Sequence, residues 1–423
     1  MTEEESIKFR KAQWKFILCS MIAYAFFYVT RKNLSMAQPG MLEEGVISMY
    51  ALGTIMTVHG VLYGCSRFVN GFWADRLNGR IFMTVGLALS ALMNFLFGCT
   101  SLTVLFAAFW IINGWTQGMG FPPCAKMLTH WIHPKELATK MSIWNTSHSW
   151  GAFAALGLCS LLFALGFGWR WCFYVPATLA GLAAVFCFFF VKDSPTEAGV
   201  HELEIEASTV TKPSSQITTA DRRRLVFGNK VIWCVALANF FVYIVRFGFL
   251  DWGPTFLKQY KDIPVQKGGL MIIAFEVAAI FGTVFAGWIT DKVFKGRGVR
   301  TCVFCMLFAA LFAFGFWYLP DGASSLWATL LLMGTGFFIY GPQALVGIVA
   351  ANQATKEAAA MANGFTGIMG YASTIVSGLG IAFIKEHFGW GVTLGAIAGF
   401  ALIGMALFLF AWNAAADGYG RKK

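Results

Sequence analysis

The sequence GFWADRLNGR at residues 71–80 is echoed by GWITDKVFKGRG at residues 287–298. Both copies carry the pattern Gly-x-x-x-Asp-Arg/Lys, which begins at Gly71 and again at Gly287, and each follows a long apolar stretch. One such copy could arise by chance. Two copies at equivalent places in the two halves of the chain predict a duplicated unit.

The apolar composition of the chain predicts a membrane protein. Hydrophobic residues make up 57% of the 423 positions, charged residues only 13%, and the mean hydropathy is +0.63. A soluble domain carries about 25% charged residues. The apolar residues also fall in blocks of roughly 20, the length that crosses the hydrocarbon core as a helix. Since lipid offers no hydrogen-bond partners, these blocks are predicted to be α-helices.

Turn signals separate twelve such blocks. We predict membrane spans at 13–36, 49–74, 81–99, 103–125, 141–166, 170–191, 231–257, 266–290, 299–319, 325–351, 359–384 and 389–413. The predicted fold class is an all-α membrane protein with 12 transmembrane helices in two pseudo-symmetric six-helix bundles. Residues 1–191 are predicted to form the N-terminal bundle, the polar segment 192–230 a cytoplasmic linker, and residues 231–423 the C-terminal bundle.

The distribution of Lys and Arg indicates the orientation. Most of the 32 Lys and Arg lie at the two termini and in the even-numbered loops, so both termini are predicted to be cytoplasmic. The same asymmetry accounts for the net charge of +11, and no nucleic-acid partner is predicted. Residues Met1–Ser6 are acidic rather than basic, so we expect no cleavable signal peptide.

Ionisable side chains within the predicted spans each cost roughly 2.5–3.5 kcal/mol on insertion scales. The four cations exceed the two carboxylates by two, and a phosphate dianion would cancel that excess. Lys32 lies near a span end and could extend to the headgroups. It is also a candidate partner for Asp251 or Glu276 across the interface between the halves. The four cations and two carboxylates within the predicted spans are Arg31, Lys32, Arg67, Arg246, Asp251 and Glu276.

Helical spacing groups the cations with aromatic side chains, because residues three, four or seven positions apart share a helix face. Arg31 and Arg246 each follow a Tyr by three residues, on helices that correspond in the two halves. Guanidinium groups donate bidentate, charge-assisted hydrogen bonds that suit tetrahedral oxyanions. An interfacial belt is the alternative role for Tyr24 and Tyr63. The predicted faces are Tyr24, Tyr28 and Arg31; Tyr63 and Arg67; Trp144, Asn145 and His148; and Asn239, Tyr243 and Arg246.

The excess positive charge also predicts how transport would be coupled. An empty carrier would have to bury unpaired like charges when it closes, whereas a bound phosphate relieves that repulsion. Obligatory exchange is therefore the expected mode. Proton coupling through His148 or Glu276 is the alternative.

Several stretches of the chain match one known family. They include YVTRKN (28–33), YGCSRF (63–68), WNTSH (144–148), FVYIVRFGFLDWGPTFL (241–257) and GFTGIMGY (364–371), and they extend over nearly the whole sequence. In them the chain resembles the organophosphate:phosphate antiporter family of the major facilitator superfamily, above all its glycerol-3-phosphate:phosphate branch. The resemblance implies an antiporter that exchanges inorganic phosphate for glycerol-3-phosphate, hexose 6-phosphates or phosphoglycerates. A monomer in a bacterial inner membrane is expected, with the endoplasmic reticulum as the alternative compartment.

The same resemblance implies the site. Arg31 and Arg246 would be the phosphate-binding pair, and Arg67 stands where the glycerol-3-phosphate branch has a Lys. The sequence after Tyr371 lacks the acid and base of hexose-phosphate carriers, which favours a small ester, whereas Gln343 resembles the hexose-phosphate branch. The other implied pocket positions are His148, Tyr24, Tyr28, Tyr63, Trp144, Asn145, Tyr243, Tyr340 and Tyr371.

Two other classes of function are weighed against transport. A membrane sensor of external hexose phosphate, which signals to a partner kinase, would have the same kind of site. An enzyme would need a nucleophile or a metal cluster with ligand spacing, and the sequence indicates neither, so no enzyme activity, metal or cofactor is predicted. Cys302 and Cys305 form a C-x-x-C inside an apolar block, where buried thiols are a better interpretation than zinc.

Overall fold

The computed structural model describes residues 3–132, 140, 143–200, 219–320, 324–354 and 358–414. Across these residues the secondary structure is helical, without any β-strand, as predicted. The chain divides into two compact units, one of Met1–Ser48 and Val58–Val210, the other of Met49–Thr57 and Thr211–Lys423. Residues 201–218 of the predicted linker lie outside the described residues, and its role as a cytoplasmic linker stays a prediction.

The first unit is organised around its first helix. α1 packs against α6 and α7, and α3 packs against α4 and α7. Helix α2 begins in the second unit and enters the first at Val58. The helices are α1 (Glu3–Glu43), α2 (Met49–Arg76), α3 (Gly79–Cys99), α4 (Thr103–Gln117), α5 (Phe121–Trp131), α6 (Ser147–Ala164) and α7 (Trp171–Phe190).

The second unit has a similar sequence of long helices. α10 and α11 pack on α12, and α14 packs on α9 and α11. The helices are α8 (Thr219–Phe227), α9 (Lys230–Lys261), α10 (Val265–Lys292), α11 (Gly298–Tyr318), α12 (Ser325–Gln353), α13 (Ala359–Ala372) and α14 (Ile381–Phe410), with a π-helical turn at Ile375–Gly380.

In the part of the chain that the structure describes, each of the twelve predicted spans overlaps helical residues. Within the described ranges, nine helical runs are long and apolar enough to cross a membrane, and one of them, Met361–Phe410, has 50 residues and covers the last two predicted spans. Helix α2 and the α4–α5 pair cover the other two. The chain is an integral, multi-pass membrane protein.

One predicted span is interrupted in the structure, and one predicted break between spans is confirmed. The span predicted at 103–125 is interrupted at Gly118–Gly120, so that α5 starts separately with Pro122 and Pro123 in its first turn. The predicted break between the last two spans is present within α14, where Gly389, the first residue of the twelfth predicted span, has a φ of 77° and departs from helical geometry. A positive φ is accessible to glycine because it has no Cβ.

Glycines allow helix backbones of the second unit to touch. A Cβ added at Gly282 of α10 would lie 1.7 Å from the carbonyl oxygen of Phe337 on α12. A Cβ at Gly336 would lie 2.4 Å from the carbonyl oxygen of Phe275. Small residues at such interfaces give close van der Waals packing where lipid provides no hydrophobic driving force.

The distribution of polarity suits a lipid solvent. Large apolar side chains such as Val104 and Phe410 are about four-fifths exposed, at 79% and 81%. Polar side chains such as Thr30, Asn94 and Asn113 are instead fully buried. A water-soluble protein shows the reverse arrangement.

The first copy of the repeated loop is held by the chain that follows α7. The Gly79 amide donates to Asp193 Oδ1 at 2.6 Å, and the Arg80 guanidinium pairs with the Glu197 carboxylate at 3.4 Å. Lys126 of α5 donates to the carbonyls of Ala74 and Leu77 at 3.1 and 3.0 Å. A cation at these carbonyls stabilises the C-terminus of α2.

Candidate functional site

Arg31 on α1 lies against two phenol rings of the first unit. Its Cζ atom is 4.2 Å from the centre of the Tyr63 ring and 5.7 Å from that of Tyr28. The Tyr28 ring is in turn 5.5 Å from the His148 ring. Contact with aromatic faces stabilises the cation. The N–H donors of a guanidinium lie in its plane, so this contact is compatible with bidentate binding of an anion.

Arg67 on α2 is positioned by α4 and α5. Its Cζ atom lies 4.1 Å from the centre of the Phe121 ring, in the first turn of α5. A Cβ on Gly118 would lie 2.2 Å from Ser66 Oγ and 2.8 Å from the Arg67 amide nitrogen. Ser66 Oγ also donates to the carbonyl of Trp115 at 2.5 Å. At the break between α4 and α5, the backbone around Gly118 therefore contacts α2 directly, beside Arg67.

Tyr24 and Tyr63 are inside the first unit, with 4% and 3% of their surface exposed. Tyr24 contacts Trp144 with ring centres 4.8 Å apart and the planes tilted by 33°, and contacts Tyr28 edge-on. This burial does not fit the alternative of an interfacial belt, in which the rings would face the headgroups.

The predicted face of Trp144, Asn145 and His148 is only partly reproduced. Trp144 is fully buried and donates from Nε1 to Ser20 Oγ at 3.0 Å, so it packs behind Tyr24. Asn145 is exposed, and its carbonyl oxygen contacts His148 Nδ1. A turn at Thr146 separates the helical residues 143–145 from α6, which begins at Ser147.

Arg246 on α9 is the centre of the corresponding cluster in the second unit. It is 9% exposed, and its Cζ atom lies 4.7 Å from the ring centre of Tyr340, with Phe247 and Tyr243 at 5.5 and 5.9 Å. The Tyr340 hydroxyl donates to Glu276 Oε1. An arginine, a phenol and a buried carboxylate are thus connected within one unit.

The remaining predicted residues lie on α13, α9 and α1. The Tyr371 ring is 6.0 Å from the Tyr243 ring. Asp251 is half-buried on α9, a little more than one turn after Arg246. Lys32 is buried in the first unit next to Arg31. The predicted pairing of Lys32 with Asp251 or Glu276 joins residues of different units and stays a prediction.

Metal-ligating groups do not assemble in the part of the chain that the structure describes, where no three His, Cys, Asp or Glu side chains come together. Cys302 and Cys305 are buried in α11 with 0% and 3% exposure, as free thiols of the apolar core. The chemistry available at the two arginine clusters is that of hydrogen-bond donors and positive charge, which suits binding of an oxyanion.

The charge-based prediction missed a group of uncharged polar residues beside Arg31. Their signal was present in the sequence as pairs spaced by four residues inside apolar spans: Ser90 and Asn94 on α3, and Asn113 and Gln117 on α4. All four are buried.

The helical architecture and the arginine clusters define a membrane transport protein. The family model "Major Facilitator Superfamily" matches residues 20–378, and the chain belongs to that superfamily. Its similarity to known proteins is spread over the full length. A "Probable hexose phosphate transport protein" of Chlamydia pneumoniae is 35% identical, over 97% of this chain and 94% of the relative. The "Glycerol-3-phosphate transporter" of Bacillus subtilis is 34% identical, over 93% and 90%.

A different function is named for another relative. The "Membrane sensor protein UhpC" of Escherichia coli is 31% identical, over 97% of this chain and 95% of the relative. Among solved structures, a bacterial homologue of the human lysosomal transporter Spinster has a TM-score of 0.80 at 14% identity, covering 95% of this chain and 97% of that one. At that identity the likeness confirms the fold alone.

Proposed function

We propose that the chain is a secondary active antiporter that exchanges inorganic phosphate for a small organophosphate, glycerol-3-phosphate or hexose 6-phosphate, by alternating access. The supporting observation is that each unit holds a membrane-embedded arginine faced by phenol rings, Arg31 by Tyr63 and Arg246 by Tyr340. A phosphate group offers charged acceptors to just such donors. The relatives named for hexose phosphate, glycerol-3-phosphate and phosphoglycerate transport support the same class of substrate.

We assign phosphate binding to Arg31 and Arg246, assisted by Arg67. The other substrate-binding positions are proposed to supply hydrogen-bond donors and the walls of the pocket. They are Tyr24, Tyr28, Tyr63, Trp144, Asn145, His148, Tyr243, Tyr340 and Tyr371.

Exchange follows from the charge of these clusters. Burying arginines without an anion leaves like charges in a medium of low dielectric, where their repulsion is large. A bound dianion offsets that repulsion, so the loaded protein reorients more readily than the empty one. Release of one phosphate compound on one side then requires binding of another before the return step.

Lys32 is proposed to form an ion pair with Asp251 or Glu276 that opens and closes during this cycle. Reversing the charge at Lys32 or at Asp251 alone would leave an uncompensated charge in the membrane and stop exchange. Lys32→Asp combined with Asp251→Lys should restore it. Exchange that is lost equally in the single and double variants would count against the pairing with Asp251.

The substrate is proposed to be a small monophosphate ester. Residues after Tyr371 in the eleventh span, ASTIVSGLG, provide no acid or base for a larger sugar. Gln343 on α12 instead favours a hexose phosphate. Its Oε1 atom is buried without a hydrogen-bond partner among the described residues and could accept a hydrogen bond from a sugar hydroxyl. Both ester classes therefore belong in the test.

The test is exchange by the purified protein in liposomes preloaded with labelled phosphate. External glycerol-3-phosphate, glucose 6-phosphate and phosphoglycerate are compared with buffer alone. Phosphate efflux that depends on one of these esters supports the proposal. Arg31→Ala should abolish it, whereas Arg10→Ala, at an exposed position of the same helix, should leave it unchanged.

The second candidate function is a membrane sensor of external hexose phosphate, favoured by the similarity to the sensor protein of Escherichia coli. Saturable binding of glucose 6-phosphate without any phosphate efflux would favour this function over transport.

Orientation and assembly complete the proposal. Both termini are proposed to face the cytoplasm of a bacterial cell, with the protein in the inner membrane as a monomer. A reporter enzyme that is active only in the periplasm should be inactive when fused after Lys423. A detergent-solubilised particle with twice the protein mass of one chain would contradict the monomer.

A further inference from the structure

A buried polar network lies directly behind Arg31 in the first unit. It links three transmembrane helices, and its side chains have 0% exposure except for Gln117, at 4%. Its members are Thr30 and Asn33 on α1, Ser90 and Asn94 on α3, and Asn113 and Gln117 on α4. Buried polar side chains in a membrane protein require specific partners, and here the partners converge on one residue.

The point of convergence is Thr30, the residue before Arg31. Its carbonyl oxygen accepts from Asn94 Nδ2 at 3.0 Å and from Asn113 Nδ2 at 3.1 Å. Its hydroxyl contacts Ser90 Oγ at 2.8 Å and accepts from Gln117 Nε2 at 3.1 Å. Both polar groups of this residue are therefore held from two neighbouring helices.

The orientation of the two amides is determined by further bonds. Ser90 Oγ donates to Asn113 Oδ1 at 2.6 Å, and Asn33 Nδ2 donates to Asn94 Oδ1 at 2.8 Å. Because each amide oxygen already accepts, each amide nitrogen is directed at the Thr30 carbonyl. Asn33 also donates to the carbonyl of Cys172 on α7 at 2.8 Å. Reversal of the Asn113 amide would lose two bonds at once, and reversal of the Asn94 amide three, because Asn94 Nδ2 also donates to the Ser90 carbonyl at 2.9 Å.

Such a network resists displacement of α1 more strongly than apolar packing does. Hydrogen bonds in lipid-buried protein are not exchanged for bonds to water, and a carbonyl that leaves its donors finds no replacement. The restrained turn of α1 carries both Arg31 and Lys32. In the second unit the arginine has different neighbours: Tyr340 lies beside Arg246 and donates to Glu276.

We propose that Asn94 and Asn113 are positioning residues for Arg31, which fix the α1 turn so that its guanidinium meets the phosphate group in bidentate geometry. The inference rests on the proposed function, because it assigns a cause to the phosphate affinity of Arg31. A network with a purely structural role would change the stability of the fold and leave the affinity of the folded protein unaltered.

The test uses Asn94→Leu and Asn113→Leu, which keep the branched outline of the side chain but replace the amide by two methyl groups. Equilibrium binding of labelled inorganic phosphate and the melting temperature are measured on the same purified samples. Each variant should weaken phosphate binding about tenfold, the equivalent of one lost hydrogen bond. Thr301→Val removes a buried hydroxyl contact with Thr290 in the second unit and should leave phosphate binding unchanged.

A double-mutant cycle separates positioning from general damage. In an Arg31→Lys background, which lacks the guanidinium fork, Asn94→Leu should weaken phosphate binding by less than threefold. If Asn94→Leu does not fold, Ser90→Ala takes its place, since it keeps both amides and removes the hydroxyl that orients Asn113 and contacts Thr30 and Gln117. Phosphate affinity within twofold of wild type in the folded variants overturns the positioning role. Absence of phosphate binding by the wild-type protein overturns the proposed function as well, and so the two failures are distinguishable.

Discussion

The Glu276 carboxylate is predicted to weaken anion binding at Arg246, and Glu276→Gln tests this directly. Glu276 is 5% exposed and accepts a hydrogen bond from the Tyr340 hydroxyl, whose ring lies 4.7 Å from Arg246 Cζ. Glutamine has nearly the same shape and can still accept from Tyr340 through its amide oxygen. The substitution therefore removes one negative charge and little else.

The magnitude follows from the distances. Adding the radius of the Tyr340 ring and one hydrogen bond places the carboxylate within about 10 Å of the Arg246 guanidinium. At an effective dielectric constant of about 20, two unit charges at that separation interact by about 1.7 kcal/mol. An anion bound at Arg246 lies at a similar distance from the Glu276 carboxylate and is repelled by it. Glu276→Gln removes that repulsion for each charge of the anion, so a monoanion should bind roughly tenfold to twentyfold more tightly.

Titration of the purified variant with labelled phosphate gives the dissociation constant, and exchange in liposomes gives the rate. Glu276→Gln should lower the dissociation constant at least about tenfold and slow exchange, because a more tightly held anion leaves more slowly. Glu386→Gln makes the same change of net charge at an exposed carboxylate, where water and salt screen it. A dissociation constant in Glu276→Gln within twofold of the wild-type value would refute the reasoning.

Three other substitutions test separate parts of the account. Arg31→Lys keeps the charge but loses the planar fork and its stacking on Tyr63, and labelled-phosphate titration should show an affinity about 10- to 100-fold lower. Gly282→Ala brings a Cβ to 1.7 Å from a backbone oxygen of α12 and should destabilise the protein by about 1–3 kcal/mol in thermal unfolding; Gly287→Ala, with nothing within 4 Å, should not. Gln343→Leu should reduce exchange of glucose 6-phosphate more than that of glycerol-3-phosphate, and equal losses for both esters would exclude a role in sugar recognition.

The fold was predictable because lipid restricts the choices. Apolar blocks of about 20 residues in a bilayer can only be helices, and the paired loop sequences indicate the duplication. Hydropathy does not report where a helix breaks inside an apolar region, so the interruption at Gly118–Gly120 was missed. It also does not predict that α1 extends from Glu3 to Glu43, beyond the apolar part.

The arginine clusters were partly predictable from spacing. Residues three or four apart on one regular helix share a face, which explains Tyr28 beside Arg31 and Tyr243 beside Arg246, each pair being three apart. Contacts between helices have no such signal, and the positions of Phe121 and Tyr63 around the cations required the structure. The uncharged polar network was missed because only ionisable residues were expected to be costly in lipid.

Equilibrium binding of labelled inorganic phosphate to the purified protein tests the central claim most directly. The account predicts saturable binding by the wild-type chain that glycerol-3-phosphate or glucose 6-phosphate displaces, and no measurable binding by Arg31→Ala or by Arg246→Ala. Unaltered phosphate affinity in either alanine variant, with the protein folded, would contradict it.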